Sequence, residues 1–216
     1  MSRPPLLERF YLITDRHVAG GAAPMLARIA RALTAAPKGS VLVQLRDKDL
    51  EPHIRLRVGR DLRAICSAAG ARLVVNGNVV IARAIEADGV HLPDGDARRV
   101  LEVRAAMGED GATLLVGAST HDAARAASRT AEGADFVTLG PVWPTESKPG
   151  AEGTGVAVLG EAAAAGACVF ALGGVDDADK VRQARTAGAH GVAMIRGVLT
   201  AEDPAAQMAA YVAALA

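Results

Sequence analysis

The chain of 216 residues carries 24 lysines and arginines against 24 aspartates and glutamates; half of its residues are apolar and 3% are aromatic. A balanced charge with so few aromatic side chains offers no basic surface for nucleic acid, so we expect small-molecule partners. No apolar run is long enough to span a bilayer, and the N-terminal segment lacks the apolar core of a secretion signal, so we expect a soluble, cytoplasmic protein without a membrane partner.

Short apolar runs alternate with alanine-rich segments along the whole chain. The runs are typical of buried parallel strands, and the segments, with charges at helical spacing, are typical of amphipathic helices. The eight runs are FYLI (10–13), VLVQL (41–45), RLVV (72–75), DGVHL (88–92), LLVGA (114–118), DFVTL (135–139), CVFAL (168–172) and GVAMI (191–195). Because a parallel strand pair needs a helical crossover, this order predicts an α/β fold, a (β/α)₈ TIM barrel in one domain over 1–216. Periodicity alone leaves a doubly wound open sheet as the alternative.

In a barrel of this kind the functional side chains lie at the C-terminal ends of the strands. The second strand ends in QLRDKD, which places Gln44, Arg46 and Lys48 at alternate positions. Alternate residues of a strand share a face, so one amide and two cations are predicted to point into the barrel mouth together. Two fixed cations suit a phosphate or pyrophosphate. A solvated, charged strand end is the alternative.

Polar residues also follow the third and fourth strands. Asn76 ends the third strand in an Asn-Gly pair, which predicts a turn first and a ligand contact second. His91, Asp94 and Asp96 accompany the end of the fourth strand. The two acids suit Mg²⁺, which proteins usually hold with one or two carboxylates and substrate phosphates. Capping of the next helix by Asp96 is the equal alternative.

The fifth and sixth strands end in hydroxyl residues. Ser119 and Thr120 stand beside His121, and helix capping by either hydroxyl is the alternative to a site role. After the sixth strand, Thr145, Ser147 and Lys148 lie on a loop stiffened by three prolines. Hydroxyl donors and an ammonium group on a stiff loop predict a clamp for an anionic ligand.

The last two strands end in glycines. Gly173 and Gly174 follow the seventh strand, and the segment 195–197 follows the eighth. Loops after these two strands commonly bind phosphate through backbone amides, and glycine lets the backbone approach the ligand closely. A tight turn is a compatible explanation of the glycine pair. The sequence therefore predicts two separate anion sites, one around Arg46 and one around Gly174.

Together these segments resemble the family of thiamine phosphate synthase and its relative, thiazole tautomerase. The resemblance rests on YLITD, VQLRDKD, VVNGNVVIARAIEADGVHL, VGASTHDAARAASRTAEGADFVTLGPVWPTESKPG, FALGGV and GAHGVAMI, in the family's order and spacing. It implies a (β/α)₈ barrel that joins a pyrimidine diphosphate to a thiazole phosphate, with Mg²⁺ as cofactor and a homodimer as the assembly.

The resemblance assigns roles residue by residue. Positions that match those holding the pyrimidine diphosphate are Gln44, Arg46, Lys48, Asn76, Ser119 and Lys148. Positions that match those around the thiazole phosphate are Thr145, Ser147, Gly174, Ile195 and Arg196. We predict that Arg46, Lys48, Ser119, Lys148 and His121 are catalytic. The predicted substrate contacts are Gln44, Asn76, His91, Thr145, Ser147, Gly173, Gly174, Ile195 and Arg196, and the predicted metal ligands are Asp96 and Asp94.

The chain departs from the family pattern near the metal and the thiazole phosphate. Gly77 stands where the synthase has a metal-binding aspartate, and only Asp96 matches the other metal carboxylate. Pro93 and Asp94 replace a Gly-Gln pair, and Arg196 replaces a serine. Three interpretations stay open: the synthase; the metal-independent tautomerase, for which His121 is the candidate acid-base residue; and a non-catalytic relative that binds thiamine phosphates.

Overall fold

Eight parallel strands form a closed barrel in the computed structural model, which describes residues 6–95, 100–108, 113–147, 150 and 152–215. The strands are β1 (Phe10–Ile13), β2 (Val41–Leu45), β3 (Arg72–Asn76), β4 (Gly89–Leu92), β5 (Leu115–Thr120), β6 (Phe136–Leu139), β7 (Val169–Leu172) and β8 (Gly191–Met194). Each strand pairs with the next in sequence, and β1 pairs with β8 through Phe10 and Val192. The barrel prediction is confirmed, and the open sheet is excluded because the first and last strands close the ring.

Helices connect the strands on the outside of this ring. Within the described residues they are α1 (Ala22–Leu33), α2 (Pro52–Ala69), α3 (Val79–Ala84), α4 (Val100–Ala106), α5 (Ala123–Ala131), α6 (Ala157–Ala164), α7 (Ala178–Thr186), α8 (Arg196–Leu199) and α9 (Pro204–Ala214). None of them is long and apolar enough to cross a membrane.

The alternation of side chains along each strand divides the core into two parts. In β1, Phe10 and Leu12 face the helices and join the larger cluster between strands and helices. Tyr11 and Ile13 face the barrel interior, where the second cluster also contains Phe136 from β6. Both faces of every strand are therefore buried at its centre, which explains why the strands are nearly continuous apolar runs in the sequence.

Asp122 caps α5, because its side chain accepts a hydrogen bond from the backbone N–H of Arg125 at 2.7 Å. Capping by Ser119 or Thr120, the alternative that the sequence left open, is therefore wrong. Both hydroxyl residues belong to β5, which runs to Thr120. The hydroxyl of Thr120 donates to the carbonyl of Thr138 at 3.0 Å. Ser119 does not cap the helix, and it lines the cavity at the end of the barrel.

Two aspartates at the N-terminal ends of the strands bind backbone and arginine together. Asp88 accepts from the N–H of Leu73 and from Arg63 of α2, each at 2.6 Å. Asp135 repeats the arrangement before β6. It accepts from the N–H of Val116 at 2.7 Å and from Arg104 at 2.6 Å.

The two ends of the described chain meet at this same face. The guanidinium of Arg9 donates to the carbonyl of Leu215 at 3.1 Å. Tyr211 of α9 is fully buried and stacks on Phe10, with ring centroids 6.0 Å apart. The last helix is thereby joined to the first strand.

Candidate active site

A cavity of about 890 Å³ opens where the strands end at their C-terminal side. Each of the eight strands contributes one inward side chain to it. These are Ile13, Gln44, Asn76, His91, Ser119, Thr138, Leu172 and Ala193. Loops after the strands form the rest of the wall. A volume of this size is at the upper end of the range for small-molecule sites.

The end of β2 supplies the cations of the cavity wall. Arg46 and Lys48 both line the cavity. The guanidinium of Arg46 lies 3.4 Å from the carboxylate of Asp15, and 41% of its side chain is exposed. Asp47, between the two cations, is buried and accepts hydrogen bonds from the Thr14 hydroxyl and from the backbone N–H of Arg16. Both cations follow Leu45, the last residue of β2, so they line the cavity from the segment after the strand and not from the strand itself, as the alternation predicted.

Arg55 of α2 joins the ends of β2 and β3 through hydrogen bonds to their backbone carbonyls. Its Nη2 donates to the carbonyls of Asn76, Leu45 and Arg46, at 2.9, 3.3 and 3.4 Å. Burial lowers the pKa of this guanidinium, and the nearby carboxylate of Asp47 acts in the opposite direction. A buried cation on three backbone carbonyls fixes the two strand ends from which Arg46 and Asn76 reach the cavity.

A chain of buried polar side chains crosses the floor of the cavity. The amide nitrogen of Gln44 donates to the hydroxyl of Tyr11, which lies 3.1 Å from Nδ1 of His91. Nε2 of the same ring lies 3.0 Å from the hydroxyl of Ser119. Burial lowers the pKa of His91 to about 3, so its ring is neutral at pH 7. Sequence analysis missed Tyr11, although a hydroxyl inside the apolar run FYLI was the available signal.

The ends of β4 and β5 bring an acid and an imidazole together. Asp94 and His121 line the cavity, and the Asp94 carboxylate lies 3.4 Å from Nε2 of His121. Nδ1 of His121 bonds to the carbonyl of Gly140. Gly77 adopts a left-handed backbone with φ 67° and contributes no side chain here. Asp96, the other predicted metal ligand, lies outside the described residues.

The loop after β6 faces the start of α8 across the cavity. Thr145, Glu146 and Ser147 line it from one side, and Arg196 from the other. Oε2 of Glu146 lies 3.2 Å from Nη1 of Arg196. Sequence analysis missed Glu146, because a single acid in a polar loop carries no signal of its partner. Lys148 lies outside the described residues.

The glycine pair after β7 has a structural reason besides the predicted approach to phosphate. Both residues have positive φ, 93° at Gly173 and 71° at Gly174. A Cβ at Gly173 would lie 2.7 Å from the Cα of Pro141, and one at Gly174 would lie 2.5 Å from the carbonyl oxygen of Pro144. The loop after β6 packs on these glycines so closely that no side chain fits.

Every predicted site residue that the structure describes lines this one cavity. The residues are Gln44, Arg46, Lys48, Asn76, His91, Asp94, Ser119, His121, Thr145, Ser147, Gly173, Gly174, Ile195 and Arg196. Their individual roles stay predictions. Among the described residues, no group of three or more histidine, cysteine, aspartate or glutamate side chains could hold a metal ion alone.

Comparisons with known proteins agree with this geometry. The sequence model of the thiamine monophosphate synthase family matches residues 10–198. A thiamine-phosphate synthase of Azoarcus sp. is 39% identical over 208 residues, which cover 95% of this chain and 96% of the relative. One of Chromobacterium violaceum is 38% identical over 211 residues, 94% of each chain. The structure of a thiamine phosphate pyrophosphorylase from Pyrococcus furiosus superposes with a TM-score of 0.81 at 27% identity, covering 97% of this chain and 95% of that one.

Proposed function

The chain belongs to the thiamine monophosphate synthase family, and from that premise we propose that it makes thiamine phosphate. The two substrates are 4-amino-2-methyl-5-hydroxymethylpyrimidine diphosphate and 4-methyl-5-(2-phosphoethyl)thiazole, the latter in its plain or its carboxylated form. The products are thiamine phosphate and pyrophosphate, and CO₂ is released as well when the thiazole is carboxylated. We further propose that the enzyme acts in the cytoplasm and as a homodimer, as the sequence and the family resemblance predict.

One observation carries this proposal: a single cavity joins two regions suited to anions. Arg46 and Lys48 lie at the end of β2, and Arg196 lies beyond β8. The floor between them is uncharged, because Gln44, Asn76, Ser119 and neutral His91 form it with apolar side chains. A diphosphate at one end and a monophosphate at the other would place both heterocycles over this floor.

The reaction begins with the departure of pyrophosphate. The bond between the methylene carbon of the pyrimidine and the diphosphate oxygen breaks, and its electron pair leaves with the oxygen. The thiazole ring nitrogen then donates its lone pair to the methylene cation and forms the new C–N bond. Arg46 and Lys48 would stabilise the charge that develops on the leaving group. Because the attacking nitrogen carries no proton, the step needs no general base.

Mg²⁺ fits the donor set of this cavity. Proteins commonly bind this ion through one or two carboxylates together with substrate phosphates. The carboxylate of Asp94 lines the cavity with 44% of its side chain exposed, and Asp96 is the second candidate ligand. When bound, the ion would neutralise negative charge on the diphosphate. Oxygens of the substrate would have to complete its coordination, because Gly77 supplies none.

Gly77 and the contact between His121 and Asp94 favour a second candidate, the thiazole tautomerase. That reaction moves protons and needs neither diphosphate nor metal. An imidazole 3.4 Å from a carboxylate is suited to acid-base work. The tautomerase ranks second because its reaction has no diphosphate for Arg46 and Lys48 to bind. A non-catalytic relative that binds thiamine phosphates is the third interpretation.

The deciding experiment supplies purified protein with both substrates, once with Mg²⁺ and once with EDTA. Thiamine phosphate and released pyrophosphate are measured separately. We expect metal-dependent formation of both products in equal amounts. Absence of product from folded protein, together with turnover of the thiazole carboxylate in EDTA, would overturn the synthase in favour of the tautomerase. Tight binding of thiamine phosphate without turnover of either substrate would indicate the non-catalytic relative.

A further inference from the structure

Four polar side chains form an unbroken chain across the barrel floor, from Gln44 through Tyr11 and His91 to Ser119. The first three are almost completely buried: Tyr11 is inaccessible to solvent, and Gln44 and His91 are each 2% exposed. A buried polar chain of this kind is costly unless every member is satisfied. Its four members come from β2, β1, β4 and β5, so it links four strands of the barrel.

The direction of the hydrogen bonds follows from counting protons. The amide nitrogen of Gln44 donates to the oxygen of Tyr11, so the single proton of that hydroxyl is available for Nδ1 of His91. Burial keeps the imidazole neutral, and a neutral imidazole that accepts at Nδ1 carries its proton on Nε2. That proton is donated to the oxygen of Ser119. Among the residues that the structure describes, no hydrogen bond of these four side chains uses the proton of the Ser119 hydroxyl.

The geometry therefore points to a task for the two middle residues: we propose that Tyr11 and His91 are positioning residues that hold Ser119 as a hydrogen-bond donor to the leaving diphosphate. This inference rests on the proposed synthase function. Diphosphate oxygens accept hydrogen bonds and do not donate them. A serine whose oxygen already accepts from His91 directs its own proton toward the cavity, where negative charge develops as the C–O bond breaks.

The backbone of β5 leaves room for this imidazole. Gly117 pairs with His91 across the β4–β5 ladder. A Cβ at Gly117 would lie 2.7 Å from Nδ1 of His91 and 2.3 Å from the Cζ atom of Phe136. The rings of Tyr11 and Phe170 surround Phe136 in turn, with centroid distances of 5.4 and 5.6 Å. The imidazole is thus held in place by packing as well as by its two hydrogen bonds.

The first test reads the tautomer of His91 in the wild-type protein by ¹⁵N NMR of labelled histidine. The resonance is assigned with a His91→Gln variant. We expect the proton on Nε2 at pH 7. A proton on Nδ1 of His91 would reverse the hydrogen bonds between the four side chains. Ser119 would then donate to His91, and the proposal would be overturned. This measurement needs no substrate, so it gives an answer even if the protein forms no thiamine phosphate and the proposed function fails.

The second test is a double-mutant cycle on turnover with Tyr11→Phe and Ser119→Ala. Removing one preorganised donor typically costs about 100-fold in kcat, so we expect that loss in Ser119→Ala. Tyr11→Phe leaves Nδ1 of His91 without its donor, and we expect about a tenfold loss in kcat from one misdirected hydrogen bond. The double variant should be no slower than Ser119→Ala alone, because Tyr11 acts only through Ser119.

Additive losses in the cycle would mean that Tyr11 affects turnover by another route, and would overturn the positioning role. Thermal unfolding of each variant accompanies the kinetics, so that loss of folded protein is not counted as loss of rate. If Tyr11→Phe does not fold, the tautomer of His91 in the wild-type protein decides the matter. Wild-type protein that folds but releases no pyrophosphate would refute the proposed synthase function. It would not refute the direction of the hydrogen bonds from Gln44 to Ser119.

Discussion

At the scale of single residues, the cavity wall combines fixed cations with a neutral floor. Arg46 is half-exposed and is aligned on one side by its contact with Asp15. Its backbone N–H donates to the hydroxyl of Thr14 at 2.8 Å. Both contacts orient Arg46 without neutralising its charge completely, because within the described residues Asp15 is its only carboxylate partner. The guanidinium can therefore still bind an incoming anion.

Replacement of Arg46 by alanine should lower kcat/KM by about 100-fold, because charge-assisted hydrogen bonds to the leaving group are lost. The fold should survive, since the side chain lies at the cavity rim. Arg60→Ala is the matched control, because Arg60 is an exposed arginine on α2 that does not line the cavity. Steady-state release of pyrophosphate measures both variants. An unchanged rate in Arg46→Ala would refute the leaving-group assignment.

Gly77 offers a second residue-scale prediction. A Cβ at this position would meet Pro93 at 3.6 Å, which is ordinary contact, and aspartate is among the residues that tolerate its left-handed backbone. Gly77→Asp should therefore fold, at a cost of about 1 kcal/mol, and add a carboxylate beside Asn76. We expect the Mg²⁺ concentration for half-maximal activity to fall about tenfold.

The uncharged variant Gly77→Asn separates the effect of the carboxylate from that of the backbone. It should fold as well as Gly77→Asp and leave the Mg²⁺ requirement unchanged. Isothermal titration of Mg²⁺ in the presence of pyrophosphate provides a reading that does not depend on turnover. Equal metal affinity in the aspartate and asparagine variants would show that position 77 does not face the ion.

At the scale of elements, the ion pair of Arg104 and Asp135 joins α4 to the start of β6. The two side chains are 11% and 13% exposed, and Asp135 also accepts from the N–H of Val116. Asp135→Ala leaves a nearly buried guanidinium without this carboxylate, and we expect a loss of about 3 kcal/mol in the free energy of unfolding. Urea denaturation measures this loss.

The exposed pair of Asp179 and Arg182 on α7 supplies the control. Those side chains are 76% and 58% exposed, so Asp179→Ala should cost less than about 1 kcal/mol. Equal losses in the two variants would contradict the argument that burial sets the strength of the pair at Asp135.

Strand and helix order could be predicted from the sequence because each buried strand is a continuous apolar run. The same property hid part of the site. In FYLI both faces of the strand are apolar, so the alternation that distinguishes inward from outward residues is not visible. Tyr11 was therefore interpreted as a core residue. Gln44 was found because a polar residue in the apolar run VLVQL marks the inward face of β2, and Arg46 was found by continuing that alternation past the end of the strand at Leu45.

Contacts between distant elements were beyond the reach of the sequence. Arg55 binds backbone carbonyls of two strands. Every residue has a backbone carbonyl, so the amino-acid sequence does not indicate which ones Arg55 binds. The pairing of Glu146 with Arg196 joins the loop after β6 to the start of α8, fifty residues further along the sequence. Closure of the barrel, which decided between the two predicted folds, depends on β1 meeting β8, the most distant strand pair of all.

At the scale of the whole molecule, one ring of strands ties the chain into a continuous core, and we propose that residues 1–216 unfold as one domain. The single tryptophan, Trp143, lies in the loop after β6 and packs against this core. Urea transitions followed by Trp143 fluorescence and by far-ultraviolet circular dichroism should therefore coincide. An earlier transition in fluorescence would show that the cavity loop unfolds separately from the barrel.

The contact between Arg9 and Leu215 places both ends of the described chain at the face opposite the cavity. A resin, a surface or a fused partner attached at either end would therefore leave the mouth open to solvent. The same proximity makes the barrel suited to circular permutation. A short linker could join the old ends, and new ends could be opened in a turn on that face that lacks the contacts of Asp88 and Asp135.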